Sequence, residues 1–300
     1  MASLRAYFGA YMVRSRVRGP LSRARDAAAF RRIFEAPTFP DPKGVTYEPG
    51  IVGGVKGEWV RPKAGPGRRM LYIHGGGFIA CSPRTHRPVT GALANRGFTI
   101  FAPEYRLAPE HPFPAAVDDV TAVWAAFSAE GAACVAGESA GGNLALVLMG
   151  EARARGLPMP WAAALFSPAT DFMSEDGSRV TNAWRDAMFD PQALAAIRPM
   201  YLGAADPADP RVSPLYGDPT GFPPLLFHVG AREVLRDDSV RMAERARRAG
   251  VETELKLFPV VSHAWQFAAS MLPEARTSLD EAAAFLTAHA PHTPSGSTLR

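Results

Sequence analysis

Three hundred residues, 47% of them hydrophobic and 21% charged, supply apolar side chains for one large core, and no linker is long enough to separate independently folding units. A formal charge of +4 would suit a nucleic-acid partner, but the arginines are scattered rather than massed around aromatic side chains, so no nucleic acid is expected. No apolar run approaches the roughly eighteen residues of a membrane span, so stable membrane insertion is not expected either.

Residues 1–42 precede the first predicted strand. The start, Met1 to Phe8, lacks a continuous apolar core before its arginines and does not predict a signal peptide. The densest basic stretch, Arg14 to Arg32, alternates with apolar residues and predicts an amphipathic helix, whose basic face meets either solvent or an anionic surface. Strands are predicted near 45–49, 54–60, 70–74, 98–103, 132–136, 161–166, 225–229 and 252–258, and helices near 84–95, 115–128, 140–154, 236–248 and 274–289. Strand-like runs alternating with longer helical stretches are the pattern of an α/β fold, a parallel sheet covered on both faces. Residues 172–212 stand outside that scheme. They carry Trp184, Met188, Phe189, Leu194, Ile197, Met200 and Tyr201 and predict a helix followed by a proline-rich return. Cys81 and Cys134 are too few for a disulfide framework and predict reduced, partly buried thiols in a cytoplasmic protein. No metal-ligand spacing occurs, and no cofactor is expected.

Gly137-Glu138-Ser139-Ala140-Gly141 follows the apolar run Ala132 to Ala136 and opens the helical stretch beginning at Asn143. This is G-x-S-x-G in a strand–turn–helix setting, a nucleophile elbow. A serine hydroxyl is a poor nucleophile until a base takes its proton, and the elbow holds it where a base and an acyl carbonyl can both reach it. His74-Gly75-Gly76-Gly77-Phe78 follows the strand Met70 to Ile73. A phosphate cradle would need a Lys-Ser/Thr after the glycines, and none follows. Gly75, Gly76 and Gly77 instead predict an oxyanion hole, bare amides aimed at the oxygen that turns negative in acyl transfer, with the amide of Ala140 as a further donor.

Such a site needs an acid and then a histidine downstream. Of the seven histidines, His263 sits in a loop after a strand and is the expected base. His289 and His292 are expected in an unstructured polar tail. His74 reads as a loop brace, His86 and His111 as surface or mouth residues, and His228 as a hydrogen-bonded core histidine. For the acid, Glu233, Asp237 and Asp238 fall close together. Glu233 lies nearest the C-terminal end of its strand, where an acid that orients the base belongs. Asp237 and Asp238 read as helix N-terminal residues.

With these residues placed, the chain resembles the hormone-sensitive-lipase-like esterases (bacterial family IV) of the α/β-hydrolase fold. The resemblance rests on His74 to Phe78, Glu104 to Ala116, Gly137 to Gly142, Ser167 to Asp171, Asp209 to Pro214, Leu235 to Asp238 and His263, in that order. It implies a mostly parallel eight-stranded sheet flanked by helices, within a single domain over 1–300. It also implies that residues 1–42 and 172–212 pack together as a helical cap over Ser139 and form most of the substrate pocket. The implied activity is a serine carboxylesterase acting on small, uncharged esters of short to medium acyl chain, with a homodimer allowed. Two departures are visible. The usual family acid is aspartate where Glu233 stands here, and Glu138 adds a carboxylate directly before the nucleophile.

A lactone hydrolase, deacetylase or amidase would use the same triad. A ligand-binding receptor on this fold would keep the glycines and serine but lose the base, and His263 argues against it. A serine peptidase of this fold would carry an added propeller domain, for which the chain has no room.

Overall fold

The structure is a computed structural model describing residues 2–36 and 39–291, so His292 and the tail after it lie outside the described residues. Eight strands form one sheet: β1 (Val45–Val52), β2 (Val55–Pro62), β3 (Arg68–Ile73), β4 (Phe98–Pro103), β5 (Cys134–Glu138), β6 (Ala163–Phe166), β7 (Leu225–Gly230) and β8 (Thr253–Phe258). Their spatial order is β1-β2-β4-β3-β5-β6-β7-β8. The β1–β2 and β2–β4 pairs are antiparallel and all others parallel.

The helices are α1 (Leu4–Val13), α2 (Gly19–Arg23), α3 (Ala27–Phe34), α4 (Arg87–Ala94), α5 (Ala115–Ala129), α6 (Ala140–Ala154), α7 (Ser178–Thr181), α8 (Pro191–Leu202), α9 (Arg236–Arg248) and α10 (Pro273–Ala288). Strands β5, β6 and β7 are buried along their whole length, as parallel strands are when helices cover both faces. Successive side chains therefore enter different cores. Leu71, Ile73, Val135, Leu165 and Phe227 pack with Val120 and Trp124 of α5, Leu144 and Leu148 of α6 and Met242 of α9. Met70, Tyr72, Ala136, Phe166 and Leu226 pack on the opposite face with Val89 and Leu93 of α4 and Leu279 and Leu286 of α10. The expected α/β sheet is thus present.

Three expectations need correcting. The stretch Arg14 to Arg32 is not one helix. A five-residue π segment, Arg14–Arg18, joins α1 to α2, and α3 starts afresh behind the Asp26 cap, whose carboxylate accepts the Ala29 amide at 2.8 Å. Pro20 has no amide to donate, which denies a continuous helix one of its bonds. His86 is buried rather than at a surface or mouth. His289 caps α10, with Nδ1 2.9 Å from the Phe285 carbonyl and Nε2 3.1 Å from a Glu252 carboxylate oxygen, so it belongs to the fold and not to a tail.

The parallel sheet also sets where chemistry can gather. The loops carrying Gly75 to Gly77, Ser139, Glu233 and His263 all leave the C-terminal ends of strands, β3, β5, β7 and β8 respectively. That edge is where open α/β sheets place their ligands.

Candidate active site

Ser139 occupies the turn between β5 and α6 with φ 54° and ψ −118°. A non-glycine residue at positive φ is strained and is held there by its surroundings. The Ser139 amide donates to the Phe166 carbonyl at 2.9 Å, and its carbonyl accepts from the amides of Asn143 at 3.0 Å and Ala169 at 3.2 Å. The turn can be this tight because its flanks are bare: a Cβ at Gly141 would stand 2.0 Å from the Ile73 carbonyl oxygen.

The glycine loop lies beside this elbow. The Gly75 amide donates to His86 Nε2 at 3.2 Å and is therefore turned into the loop's own support. The amides of Gly76, Gly77 and Ala140, the last opening α6, carry no hydrogen bond among the described residues. His74 braces the loop from below. Its ring stacks on Tyr105 at 4.2 Å, and the Tyr105 hydroxyl donates to the His74 carbonyl at 2.8 Å. Burial, and then His86 nearby, push the His74 imidazole down to about 3, so it is neutral.

His263 is buried in the loop after β8, and its Nδ1 lies 2.6 Å from Glu233 Oε2. The other oxygen, Glu233 Oε1, accepts from the Gly230 amide at 2.6 Å and the Ser167 hydroxyl at 2.8 Å. Those three donors fix the carboxylate in one orientation. His263 Nε2 has no hydrogen-bond partner among the described residues, Ser139 included; serine–histidine bonds are often long before substrate arrives. The Phe189 ring packs edge-on to the imidazole at 5.1 Å. Burial opposes charge on this histidine, but Glu233 first, then Glu138 and Asp186, outweigh it and hold the imidazole up at about 9.

The other two acidic candidates are occupied elsewhere. Asp237 accepts the Ser178 amide at 2.7 Å, while Asp238 accepts those of Thr170 at 2.7 Å and Asp171 at 3.0 Å. Both lie in the first turn of α9, where negative charge favours the helix.

Three participants were not given these roles from sequence. Ser167 fixes Glu233 across 66 positions of chain. Asp186 is buried, accepts the amides of Val234, Met188 and Phe189, and is pushed up to about 6 by burial and then by Glu233. His86 places Nε2 2.9 Å from Glu138 Oε1. The Glu138 carboxylate lies directly against the glycine loop, since a Cβ at Gly75 would be 2.0 Å from Oε1. Only Ser167 had a signal, as part of the quoted Ser167 to Asp171 motif.

Residues from the chain's start contact the segment 172–212, which in turn meets the glycine loop. The Arg18 guanidinium donates to the carbonyls of Ala183, Asp186 and Phe189, and Arg14 to that of Trp184. Tyr201 of α8 stacks on Phe78 of the glycine loop at 3.7 Å. Phe189, Ile197 and Tyr201 are buried in the main core cluster, whereas Trp184 faces solvent. No group of three His, Cys, Asp or Glu suited to a metal ion occurs among the described residues.

Comparison with known proteins identifies the family. The α/β hydrolase fold family matches residues 70–267. An acetyl-hydrolase of Streptomyces hygroscopicus is 39% identical, the match covering 78% of this chain and 80% of that protein. An esterase of Acinetobacter venetianus is 34% identical over 94% of this chain and 95% of its own. The crystal structure of an esterase from the bacterial hormone-sensitive lipase family superposes with a TM-score of 0.90 at 32% identity, covering 96% of this chain and 99% of that one. The chain therefore belongs to the α/β hydrolase fold family, among the bacterial hormone-sensitive-lipase-like esterases, and is a carboxylic ester hydrolase.

Proposed function

We propose that the enzyme is a serine carboxylesterase working through an acyl-enzyme, with Ser139 as nucleophile, His263 as base and Glu233 as the acid that orients it. The observation that carries this reading is the 2.6 Å contact of Glu233 with His263 Nδ1, which leaves Nε2 without a hydrogen bond. Ser139 Oγ attacks the ester carbonyl as its proton passes to His263 Nε2, and the carbonyl electron pair moves onto oxygen. The amides of Gly76, Gly77 and Ala140 receive that oxyanion. One such donor is typically worth about a hundred- to a thousandfold in rate. Collapse expels the alkoxide, which takes the proton from His263. Water then gives a proton to His263, attacks the acyl carbon and releases the acid, and the proton returns to Ser139. Throughout, Glu233 holds Nδ1 protonated and stabilises the imidazolium without taking its proton.

Residues 1–42 and 172–212 act as the cap of a single domain in this reading, the second segment supplying the substrate-facing side. Buried Phe189, Ile197 and Tyr201 suit an uncharged ester of short to medium acyl chain. Every group in the mechanism comes from one chain, so neither nucleic acid nor the homodimer that the resemblance allows is needed for chemistry. Two unpaired cysteines suit a cytoplasmic setting. Removal of acetyl groups is a second reading, favoured by the acetyl-hydrolase relative.

A panel of p-nitrophenyl esters of increasing acyl length tests the proposal. Rates are expected to peak at short to medium chains, and Ser139→Ala to lower them about a millionfold with the circular dichroism spectrum unchanged. Highest rates on emulsified long-chain triglyceride would overturn the substrate assignment.

A further inference from the structure

Helix α1 carries Leu4, Tyr7, Phe8 and Tyr11, the i, i+3, i+4, i+7 spacing of an apolar stripe that ordinarily faces a core. In this fold the stripe faces outward. The small side chains Ala6 and Ala10 pack inward against Phe258, Val261, Trp265 and Leu272. The four large ones are 87%, 50%, 65% and 65% exposed. Trp184, 71% exposed, lies in the segment that meets the end of α1, where Arg14 donates to its carbonyl at 2.7 Å.

The charges carried by α1 and the segment after it are of one sign. Residues 2–25 contain six arginines and no acidic residue. Arg232 lies 5.8 Å from the Tyr7 ring centre and Arg185 lies 5.9 Å from that of Trp184. Arg5, Arg14 and Arg16 are exposed. The carboxylate that touches the start of α1, Glu274, is taken up by the amide and hydroxyl of Ser3 at 2.6 and 2.9 Å.

We propose that the outer face of α1, with Trp184, is a docking surface for an anionic phospholipid bilayer. The aromatic side chains enter the headgroup region and the arginines pair with lipid phosphates. Aromatic rings with a polar tip or edge suit that boundary, and helices joining an apolar stripe to cationic flanks lie in it. The charge pattern also selects between occupants. A second copy docked through a two-fold axis would set this face against itself, bringing arginines against arginines. An anionic bilayer complements every cation on the face. The π segment then carries this face straight to Arg18, which grips the carbonyls around Phe189, and Phe189 packs on His263. A docked molecule would hold its cap toward the lipid.

The test is co-sedimentation of the full chain with sucrose-loaded vesicles. Vesicles of one-third phosphatidylglycerol in phosphatidylcholine are expected to carry the protein down, pure phosphatidylcholine vesicles are not, and added salt is expected to release it. The double variant Phe8→Ser/Tyr11→Ser should lower partitioning at least about tenfold, with circular dichroism and the thermal midpoint unchanged because both side chains are exposed. Arg16→Glu should weaken binding to the anionic vesicles without altering the fold. Absence of binding to anionic vesicles, equal binding to neutral ones, or full binding by the double variant would each overturn the proposal. So would a lipid-free dimer in sedimentation velocity that the double variant converts to monomer, since the face would then belong to a second copy.

Discussion

Glu138 Oε2 stands 3.7 Å from Nε2 of His263, the imidazole nitrogen that the proposed mechanism uses as its base. The carboxylate comes from the residue immediately before Ser139. Its other oxygen lies 2.9 Å from His86 Nε2, and it packs against Gly75. One side chain thus touches the elbow, the glycine loop and the base. A carboxylate there stabilises the imidazolium formed as Ser139 attacks. It also favours a protonated histidine at rest, which must lose that proton before it can act.

The pH dependence follows with a definite sign. A general base works deprotonated, and Glu233, Glu138 and Asp186 together hold His263 up at about 9 against its burial. With an uncharged ester, kcat/KM is expected to rise with pH through an inflection on the alkaline side of neutrality. Glu138→Gln keeps the shape that packs on Gly75 and removes the charge, so the inflection should move to lower pH. A pH profile of both proteins checks this. An unmoved inflection would mean that Glu138 does not act on His263.

The identity of the acid is tested by a pair of variants. Glu233→Gln keeps contacts to Ser167 and Gly230 within reach but removes the charge facing His263 Nδ1. Loss of that charge in a serine triad costs about four orders of magnitude in turnover. Asp237→Asn should cost about 1 kcal/mol of stability, because Asp237 holds the Ser178 amide near the start of α9, and little activity. Catalytic efficiency and thermal midpoint, measured on both, separate the roles. The reverse outcome, with Asp237→Asn inactive and Glu233→Gln active, would move the acid to Asp237.

The residues that could be read from sequence are those whose local pattern and chemistry coincide. Leu71, Ile73, Val135 and Leu165 lie in apolar runs bounded by turn motifs, and the glycines and Ser139 sit where those runs end, so the central strands and the loops at their C-terminal edge were legible together. Glu233 and His263 were legible by position after a strand, and they meet at 2.6 Å. What escaped depends on contacts between distant segments. His86 looked like a surface residue because nothing nearby in sequence tells that Tyr72, His74 and Phe267 enclose it. Asp186 lies in a segment with no periodicity of its own and acts by collecting backbone amides, which leave no pattern in sequence. The outward stripe of α1 carries the same spacing as a core-facing one. Only the packing of Ala6 and Ala10 against the body of the protein tells which side is covered.

The central claim is that Ser139 is the nucleophile, and covalent labelling tests it most directly. The enzyme is incubated with diethyl p-nitrophenyl phosphate, digested and mapped by mass spectrometry, with residual esterase activity followed in parallel. A single diethylphosphoryl group on the peptide containing Ser139, growing in step with the loss of activity and absent from Ser139→Ala, is the predicted result. Inactivation with the label on another residue, or full labelling of Ser139 with activity retained, would contradict the account.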